Sequence, residues 1–365
     1  MTSAKLVPMD VGSRARRLRD SLEVAELDAF GVTSLTNLRW LTGFTGSNAA
    51  ALVRSDGLDL FTDGRYADQA PAELMEAGVD AQVIIGTDVV VGLAQACPQR
   101  GRVGLEANDL SWTQQRRLAE LTTAELVPTS DTIEALRAIK DAGELSRMSL
   151  AASIVDTALT SIRPMLAERP SERHVALALD HALREAGATS SAYETIVASG
   201  PNASLPHARP TDRSIELGDL VVIDVGALVD GYRSDMTRTF SIGEPEPAYA
   251  RWLEVVREAQ AAGVAAVRGG VAAQSIDQAC REIIIDAGWG DEFSHGAGHG
   301  VGLDIHEHPR INSRSNDIVS AGMVITVEPG VYFAGRGGVR WEDLLHVTAT
   351  GAQTLTQSPK DAVIA

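Results

Sequence analysis

Residues 219–235 read DLVVIDVGALVDGYRSD, and this stretch predicts a β-hairpin in the second half of the chain. Asp230-Gly231 is a dipeptide that favours a two-residue hairpin turn, and strand-like runs flank it on both sides. If the turn is that tight, Thr237 pairs with Asp224 across the two strands. The pairing also fixes which side chains share a face, because successive residues of a strand point to opposite faces.

Asp224 and Asp235 lie on one face of the predicted hairpin as diagonal neighbours, with Cβ atoms roughly 7 Å apart. Asp235 faces Gly226, which leaves the space between the two carboxylates open, although a β-bulge would change this register. Two buried carboxylates side by side are unfavourable unless a cation or a proton lies between them. The hairpin alone therefore favours equally a divalent metal site and a structural pair of aspartates with a raised pKa.

Later segments repeat the pattern of an acid on an apolar run. Glu328 ends the run 323–327, where Pro329-Gly330 stops the predicted strand. Arg340 and Glu342 are two residues apart, so they share one face of another predicted strand. Each acid alone would more often be exposed or salt-bridged. Three apolar strands that each carry an acid favour the metal site.

Residues 295–309, HGAGHGVGLDIHEHP, concentrate histidine and glycine. His295, His299 and His306 supply nitrogen ligands and acid–base groups, and the alternating glycines suit a backbone packed closely against a site. Neither G-x-G-x-x-G before a helix nor H-E-x-x-H is present, so no dinucleotide or zincin site is predicted. Four carboxylates and one imidazole are hard ligands that favour Mn²⁺-like ions, with Co²⁺ or Zn²⁺ as substitutes in vitro.

Composition narrows the class of function further. The chain has 365 residues and a net charge of −17, from 32 Lys and Arg against 49 Asp and Glu, which disfavours nucleic acid and membrane surfaces as partners. Its three lysines, Lys5, Lys140 and Lys360, lie in no phosphate loop or Schiff-base context. Cys97 and Cys280 form no metal or redox motif. With no signal peptide or membrane span in the pattern, we expect a cytoplasmic protein.

The pattern of predicted helices and strands changes near residue 131. Residues 1–131 alternate helical and strand-like patterns, which predicts a small α/β domain. Its predicted helices cover 11–27, 66–77, 88–97 and 111–121, and its strands 58–62, 81–85, 103–106 and 125–128. Residues 132–365 predict an α+β domain, with helices between antiparallel hairpins. It opens with one helical tract to about residue 147, followed by helices at 149–166, 171–186, 248–267 and 275–287.

The five candidate ligands resemble, in order and flanking sequence, those of the dinuclear "pita-bread" metallopeptidases: methionine aminopeptidase, aminopeptidase P and prolidase. The ligands are Asp224, Asp235, His299, Glu328 and Glu342, in the contexts IDVG, SDMTRT, GHGVG, VEPG and RWED. Residues 37–48 and 61–66 are similar to the N-terminal domain of the proline-specific branch. Methionine aminopeptidases lack that domain, and creatinases lack the metal ligands. The resemblance implies a creatinase-like α/β N-terminal domain and an α+β catalytic domain with the pita-bread (creatinase/aminopeptidase) fold.

The resemblance also implies roles for these residues. Asp224 would chelate one of two divalent metals, His299 with Glu328 the other, and Asp235 with Glu342 would bridge both. A hydroxide shared by the two cations would attack the scissile carbonyl, and Glu328 would shuttle its proton. In the segment 198–207, His207 resembles the substrate-loop histidine of the branch, although an ordinary loop histidine is the alternative. With His306, it would position the substrate and stabilise the tetrahedral intermediate.

The expected substrates are small proline-containing peptides, and the favoured activity is that of an Xaa-Pro dipeptidase acting as a homodimer. Arg310 is similar in placement to the prolidase arginine that binds the substrate carboxylate, although a surface salt bridge would also explain it. His295 and Arg340 are further predicted substrate-binding residues, and Arg340 could instead hydrogen-bond near the metals. An Xaa-Pro aminopeptidase is the main alternative. A non-catalytic binding protein on the same fold is a remote one.

Overall fold

The computed structural model describes residues 6–365. The chain divides into two compact units, Pro8–Arg137 and Ala138–Ala365, and Leu6 and Val7 group with the second. No helix among the described residues has the length and apolar composition needed to cross a membrane.

The first unit is a six-stranded mixed sheet with six helices. Its helices are α1 (Arg14–Val24), α2 (Leu35–Thr42), α3 (Gln69–Glu76), α4 (Val89–Ala96), α5 (Trp112–Leu121) and α6 (Thr132–Arg137). Its strands are β1 (Ala29–Val32), β2 (Ala49–Arg54), β3 (Leu58–Thr62), β4 (Gln82–Ile85), β5 (Arg102–Glu106) and β6 (Glu125–Thr129). The strand order is β4-β3-β2-β1-β5-β6, with β1–β2 and β2–β3 antiparallel and the other pairs parallel.

The α/β character expected of the first unit is confirmed, but three elements were missed: β1, α2 and β2. Every residue of β1 is buried, as are five of the six in β2, so neither strand shows the polar–apolar alternation by which a strand is recognised. Leu93 of α4 and Leu118 of α5 pack with Phe61 and Val103 of the sheet in one apolar cluster. The predicted boundary at 131/132 lies just before α6, which groups with the first unit.

The second unit has four helices and sixteen strands among the described residues. The helices are α7 (Ala142–Ile162), α8 (Glu172–Glu185), α9 (Pro247–Ala266) and α10 (Ala273–Asp286). The first eight strands are β7 (Ser190–Ser191), β8 (Ile196–Ser199), β9 (Leu220–Asp224), β10 (Ala227–Val229), β11 (Tyr232–Arg233), β12 (Thr237–Ile242), β13 (Val271–Ala272) and β14 (Gly298–Gly300). The other eight are β15 (Glu307–Ile311), β16 (Ile318–Val319), β17 (Val324–Val327), β18 (Gly330–Phe333), β19 (Gly337–Arg340), β20 (Asp343–Val347), β21 (Ala352–Thr354) and β22 (Val363–Ile364).

Two larger sheets carry the second unit, in the orders β22-β12-β9-β8 and β15-β14-β17-β20-β21. Helices α7 and α8 pack on the first sheet, where Val221 and Ile223 of β9 belong to their apolar cluster. Helices α9 and α10 pack on the second, where Ile325 and Val327 of β17 belong to theirs. The expected α+β layer architecture is confirmed. The structure adds that each of the two sheets carries one pair of helices.

The tight hairpin at Asp230-Gly231 is also confirmed. Thr237 pairs with Asp224, and beside the turn Tyr232 pairs with Val229, which is the register that a two-residue turn requires. Both turn residues have positive φ, at 45° and 80°. This conformation is the reason for the Asp-Gly sequence, because both central residues of the favoured hairpin turn need it.

Two expectations about this unit were wrong. The helical tract expected up to residue 147 is two helices, since α6 ends at Arg137 and α7 begins only after Asp141, whose side chain caps it in a capping box with Glu144. The strand expected to hold both Arg340 and Glu342 is interrupted, because β19 ends at Arg340 and β20 begins at Asp343. Glu342 therefore lies in a connection between strands.

Candidate metal centre

The candidate site begins with the two-residue period of the strands. Val221 and Ile223 face the α7–α8 pair, so Asp224 points to the opposite face of β9. In the same way Ile325 and Val327 face the α9–α10 pair, which turns Glu328, directly after β17, to the other face. Each acid thus sits on the side of its sheet that its helix pair leaves open.

His299 is held by close backbone packing on both sides of its strand. A Cβ atom on Gly298 would lie 2.1 Å from the Thr326 carbonyl oxygen, and one on Gly300 would lie 2.2 Å from that of His308. Only glycine allows β14 to lie between β15 and β17 at these distances. The sequence expectation that these glycines serve close packing is confirmed, and His299 between them is 7% exposed.

Asp235, His299 and Glu342 form the tightest group. Each offers one ligand atom, and these atoms lie within 4.8 Å of one another. The His299 Nε2 atom is 3.6 Å from an oxygen of Asp235 and 3.4 Å from an oxygen of Glu328. Asp224 lies next to this group but outside it, since its oxygens contact Tyr193 and Arg340. The structure therefore brings the five predicted ligands together, three of them in a compact set.

Tyr193 joins the two aspartates and was missed by the sequence analysis. Its hydroxyl oxygen lies 2.5 Å from an oxygen of Asp224 and 2.5 Å from one of Asp235. The expectation that Gly226 leaves open space between the aspartates was wrong, because a Cβ there would meet the Tyr193 ring at 2.8 Å and the Ser234 carbonyl oxygen at 2.1 Å. The glycine makes room for this tyrosine. No sequence signal pointed to Tyr193, which follows a strand of two residues.

The charges of this cluster are poorly balanced. Burial, reinforced by repulsion from Asp224, raises the pKa of Asp235 well above its usual range. Burial and repulsion from Asp235 do the same to the pKa of Glu342. Burial also raises the pKa of Glu328 to about 7, although Arg340 opposes the shift. Neighbouring carboxylates that resist ionisation together are a situation that a cation relieves.

The donor atoms are also arranged as a cation would require. His299 Nδ1 faces the Gly300 carbonyl oxygen at 3.0 Å and so carries the ring proton, which leaves the Nε2 lone pair facing carboxylate oxygens. Burial lowers the pKa of His299 to about 3, so the ring stays neutral. The Oε1 atom of Glu342 is buried without a hydrogen-bond partner among the described residues. These unpaired acceptors fit divalent metal ions.

Arg340 connects the cluster to its surroundings. Its guanidinium donates to Asp224 Oδ2 at 2.7 Å, to the Tyr332 hydroxyl at 2.8 Å and to the Pro206 carbonyl oxygen at 3.1 Å. Pro206 directly precedes His207, so Arg340 links an aspartate of the cluster to the loop that carries this histidine. These contacts agree with the alternative role predicted for Arg340, that of a hydrogen-bond donor beside the metals. Its role in substrate binding remains a prediction.

All ten predicted site residues line one cavity of about 370 Å³. Besides the five candidate ligands and Arg340, they are His207, His295, His306 and Arg310. His295 hydrogen-bonds to the Tyr332 hydroxyl at 3.0 Å, and burial lowers its pKa to about 4. The exposed His306 packs edge-to-face on His299, with ring centroids 4.5 Å apart.

Arg310 is exposed at the cavity, and the described residues offer its guanidinium no ion pair. Its backbone N–H donates to Asp317 Oδ2 at 2.7 Å, which fixes the main chain and leaves the side chain available. The alternative of a surface salt bridge therefore lacks its partner in the described part of the chain. A free guanidinium at the rim of a cavity is suited to an anionic group of a ligand.

Comparison with known families agrees with this geometry. Residues 146–349 match the model of metallopeptidase family M24, and residues 14–139 match the creatinase/prolidase N-terminal domain. The first match contains all five candidate ligands. The second covers α1 to α6 of the first unit. The family resemblance and the fold class expected from the sequence are both confirmed.

Individual relatives point in the same direction. The chain is 40% identical over 260 residues to an Xaa-Pro dipeptidase of Pyrococcus furiosus, which covers 71% of this chain and 74% of that protein. The structure of an Xaa-Pro dipeptidase from Bacillus anthracis is 35% identical, with a TM-score of 0.92 over 97% of this chain and all of that one. An X-Pro aminopeptidase from Thermotoga maritima is 30% identical, with a TM-score of 0.85 over 94% of this chain and all of that one.

Proposed function

Because the chain belongs to metallopeptidase family M24, we propose that it is a metal-dependent Xaa-Pro dipeptidase. The observation that carries the dipeptide preference is Arg310, a cation without an ion-pair partner among the described residues, on the cavity that holds the candidate metal ligands. In a dipeptide the free carboxylate follows the scissile bond by a single residue. An arginine at this position can therefore bind that carboxylate while the bond lies at the acid cluster.

The bond to proline nitrogen is chemically distinct. It is a tertiary amide without an N–H, so a peptidase that needs a hydrogen bond from that nitrogen cannot use it. The polar groups of this cavity include histidines, carboxylates and arginines, which can contact the carbonyl oxygen, the free amine and the free carboxylate of the substrate instead. A site of this composition can hydrolyse the Xaa-Pro bond without any contact to an N–H of the proline.

The metal would be held by Asp224, Asp235, His299, Glu328 and Glu342. When bound, two divalent cations would lower the pKa of water enough to supply a nucleophile near neutral pH. Glu328 lies beside His299 and would carry the proton released by the attacking water to the leaving proline nitrogen. A proton taken up by its carboxylate would be delivered to that nitrogen as the bond breaks.

The histidines act on the substrate in this proposal. His207 and His306 line the cavity and would hydrogen-bond the carbonyl oxygen as negative charge develops on it. His295 is neutral and bonded to Tyr332, so it would contact the substrate as a hydrogen-bonding group and not as a cation. Arg310 would bind the carboxylate of the proline.

We assign Mn²⁺ as the native metal because the donor set is four carboxylates and one imidazole, with Co²⁺ or Zn²⁺ as substitutes in vitro. The proposal includes a cytoplasmic location, which the two free, buried thiols of Cys97 and Cys280 support. It also includes a homodimer, on the family resemblance. Light scattering on the purified protein should then give twice the 38.6 kDa of one chain.

The proposed substrate is tested by a panel of peptides with the Mn²⁺-loaded protein. We expect release of proline from Ala-Pro, little or no cleavage of Ala-Ala, and slower cleavage of Ala-Pro-Pro. Inactivity on every proline peptide after metal loading would contradict the proposal and would favour a non-catalytic binding protein.

The second candidate is an Xaa-Pro aminopeptidase, because the Thermotoga maritima X-Pro aminopeptidase matches this chain with a TM-score of 0.85. Both activities would use the same acid cluster, and they differ in what lies beyond the proline. A dipeptidase needs a free carboxylate there, whereas an aminopeptidase needs room for further residues. A kcat/KM higher for Ala-Pro-Pro than for Ala-Pro would select the aminopeptidase.

A further inference from the structure

Lys140 and Glu307 form a buried ion pair outside the cluster of candidate ligands. The Lys140 Nζ atom lies 2.9 Å from Glu307 Oε2, and the two side chains are 1% and 6% exposed. The sequence contains only three lysines, and Lys5 lies outside the described residues. A fully buried pair is weak support for stability, because removing two charges from water costs about as much as their attraction returns. A role in positioning the neighbouring chain therefore explains the pair better than a role in overall stability does.

Glu307 directly follows His306 in the chain. Glu307 is the first residue of β15 and is buried, and unlike His306 it does not line the cavity. Its second carboxylate oxygen accepts a hydrogen bond from the backbone N–H of Asp304 at 3.1 Å. The carboxylate thus binds both Lys140 and the backbone of the loop that leads to His306.

The loop between β14 and β15 is packed directly on this carboxylate. A Cβ atom on Gly302 would lie 2.5 Å from Glu307 Oε2, so the glycine makes room for the ion pair. From strand β11, the backbone N–H of Arg233 donates to the Gly302 carbonyl oxygen at 2.9 Å, and its side-chain Nε donates to that of Leu303 at 3.0 Å. Polar contacts to Glu307 and Arg233 therefore hold the loop 301–306 in place. The Lys140–Glu307 ion pair is the most deeply buried of these contacts.

The His306 side chain needs such support. It is exposed, and among the described residues its ring has the edge contact with His299 but no hydrogen bond. The position of its ring therefore follows from the position of its backbone. Lys140 is itself fixed, since its backbone N–H donates to the Gly322 carbonyl oxygen at 2.9 Å and Asp141 next to it caps α7.

We propose that the Lys140–Glu307 pair is a positioning device for His306, which holds residues 301–306 so that the imidazole faces the reacting carbonyl. The expected effect of the pair on catalysis rests on the proposed function. Its structural consequence, an ordered loop 301–306, does not depend on any activity. Lys140 and Glu307 touch neither substrate nor metal in this assignment and act only through His306.

The test compares Lys140→Met with a matched control, Val175→Ala. Val175 is fully buried in the apolar cluster of α7 and α8, so its truncation destabilises the protein without touching the loop. With Mn²⁺-loaded protein, Lys140→Met should lower kcat/KM for Ala-Pro about tenfold to a hundredfold, as expected for a misplaced active-site group. Val175→Ala should leave kcat/KM within about twofold at a temperature where both variants are folded.

A double-mutant cycle separates positioning from general damage. If Lys140 acts through His306, adding Lys140→Met to His306→Ala should cause no further loss of kcat/KM. A further loss as large as in the parent would overturn the proposal. Glu307→Gln provides a second route through the same cycle should Lys140→Met fail to fold.

Hydrogen exchange keeps this test independent of the proposed function. Amides of residues 301–306 should exchange faster in Lys140→Met or Glu307→Gln than in the parent, and at the parental rate in Val175→Ala. If the parent is inactive on all proline peptides, the proposed function fails, and the exchange result still decides the structural role. Parental exchange of this loop in both pair variants would overturn the inference.

Discussion

Two arginines line the cavity, and among the described residues Arg310 has no acidic ion-pair partner. Arg340, by contrast, is committed to Asp224 and Tyr332. We therefore propose different roles for the two arginines: Arg340 organises the cluster, and Arg310 binds the substrate. The distinction can be measured, because the loss of a substrate contact and the loss of an internal contact change different kinetic constants.

For Arg310→Ala we expect KM for Ala-Pro to rise about tenfold to a hundredfold, because a charge-assisted hydrogen bond contributes about 1.5–3 kcal/mol. The kcat value should change much less. Steady-state kinetics of proline release measures both. Arg314→Ala is the control, since Arg314 is exposed nearby but does not line the cavity. Unchanged KM in Arg310→Ala would remove the carboxylate-binding role.

Glu172 shows how a buried acid is stabilised without a metal. It accepts hydrogen bonds from the backbone N–H groups of Ser199 and Thr211, from their hydroxyls, and from Asn202. Burial alone would raise the pKa of Glu172, but these hydrogen bonds outweigh burial and lower it. The carboxylate therefore contributes stability above its usual pKa of 4.5, and that contribution is lost as the pH falls through the lower pKa of the folded state.

For Glu172→Gln we expect a loss of about 2–3 kcal/mol in the free energy of unfolding at pH 7, because several buried donors lose a charged acceptor. The difference from the parent should shrink as the pH falls below 4.5. Urea unfolding at a series of pH values measures it. Glu185→Gln, at an exposed position of the same helix, should remain within about 0.5 kcal/mol of the parent. A difference independent of pH would contradict this role of the charge.

At the scale of elements, strand β14 is the most constrained part of the site. Its glycines allow the carbonyl oxygens of Thr326 and His308 to approach to distances that a Cβ would prevent. Since His299 lies between these glycines, any displacement of the strand moves a candidate ligand. We therefore expect strand packing and metal affinity to be coupled here.

For Gly300→Ala we expect the free energy of unfolding to fall by about 2 kcal/mol or more, because the new methyl group overlaps a backbone oxygen. Mn²⁺ affinity should fall with it, because the strand must shift. Urea unfolding and calorimetric Mn²⁺ titration measure the two effects. Gly351→Ala is the matched control, since a Cβ there meets nothing within 4 Å and should change stability by less than about 0.5 kcal/mol. Equal behaviour of the two variants would contradict the coupling.

The elements that the sequence predicted are those with a local signal. The Asp230-Gly231 turn determines its own register, so the pairing of Asp224 with Thr237 follows from local chemistry. The fully buried β1 has no alternation to reveal it. The connection that carries Glu342 ends one strand and begins another within two residues, which no periodicity indicates.

In the candidate site, too, only residues with a local sequence signal could be predicted. Its ligands could be found because each acid interrupts an apolar run and because the set resembles a known family. Tyr193 could not, since its relation to Asp224 and Asp235 arises only when β7 pairs with β10. The ion pair of Lys140 with Glu307 joins residues far apart in the chain, so it too depends on the folded structure.

At the scale of the whole molecule, we expect the acid cluster to link stability to metal binding. Its four carboxylates are few among 49 acids, but Asp235 and Glu342 are buried, Glu328 is partly buried, and all three have raised pKa values. A cation that binds the folded chain and not the unfolded one stabilises it by mass action, by about 2.7 kcal/mol at a hundred times its dissociation constant. Folding and metal binding should therefore be observed together.

We expect chelation to lower the melting temperature and added Mn²⁺ to restore it in a concentration-dependent manner. The physical reason is that the metal offsets repulsion that the folded state otherwise retains. Differential scanning calorimetry at pH 7.5 measures the shift. In an Asp235→Asn, Glu342→Gln double variant the response to Mn²⁺ should largely vanish. A parental melting temperature that ignores both chelator and Mn²⁺ would contradict the metal assignment.

We propose that this chain uses two divalent cations at the acid cluster to hydrolyse the Xaa-Pro bond. The most direct measurement is proline release from Ala-Pro by metal-free protein as Mn²⁺ is added. We expect no activity without metal and an increase that saturates at two Mn²⁺ per chain. Full activity in the presence of excess chelator, or none at any concentration of Mn²⁺, Co²⁺ or Zn²⁺, would contradict it.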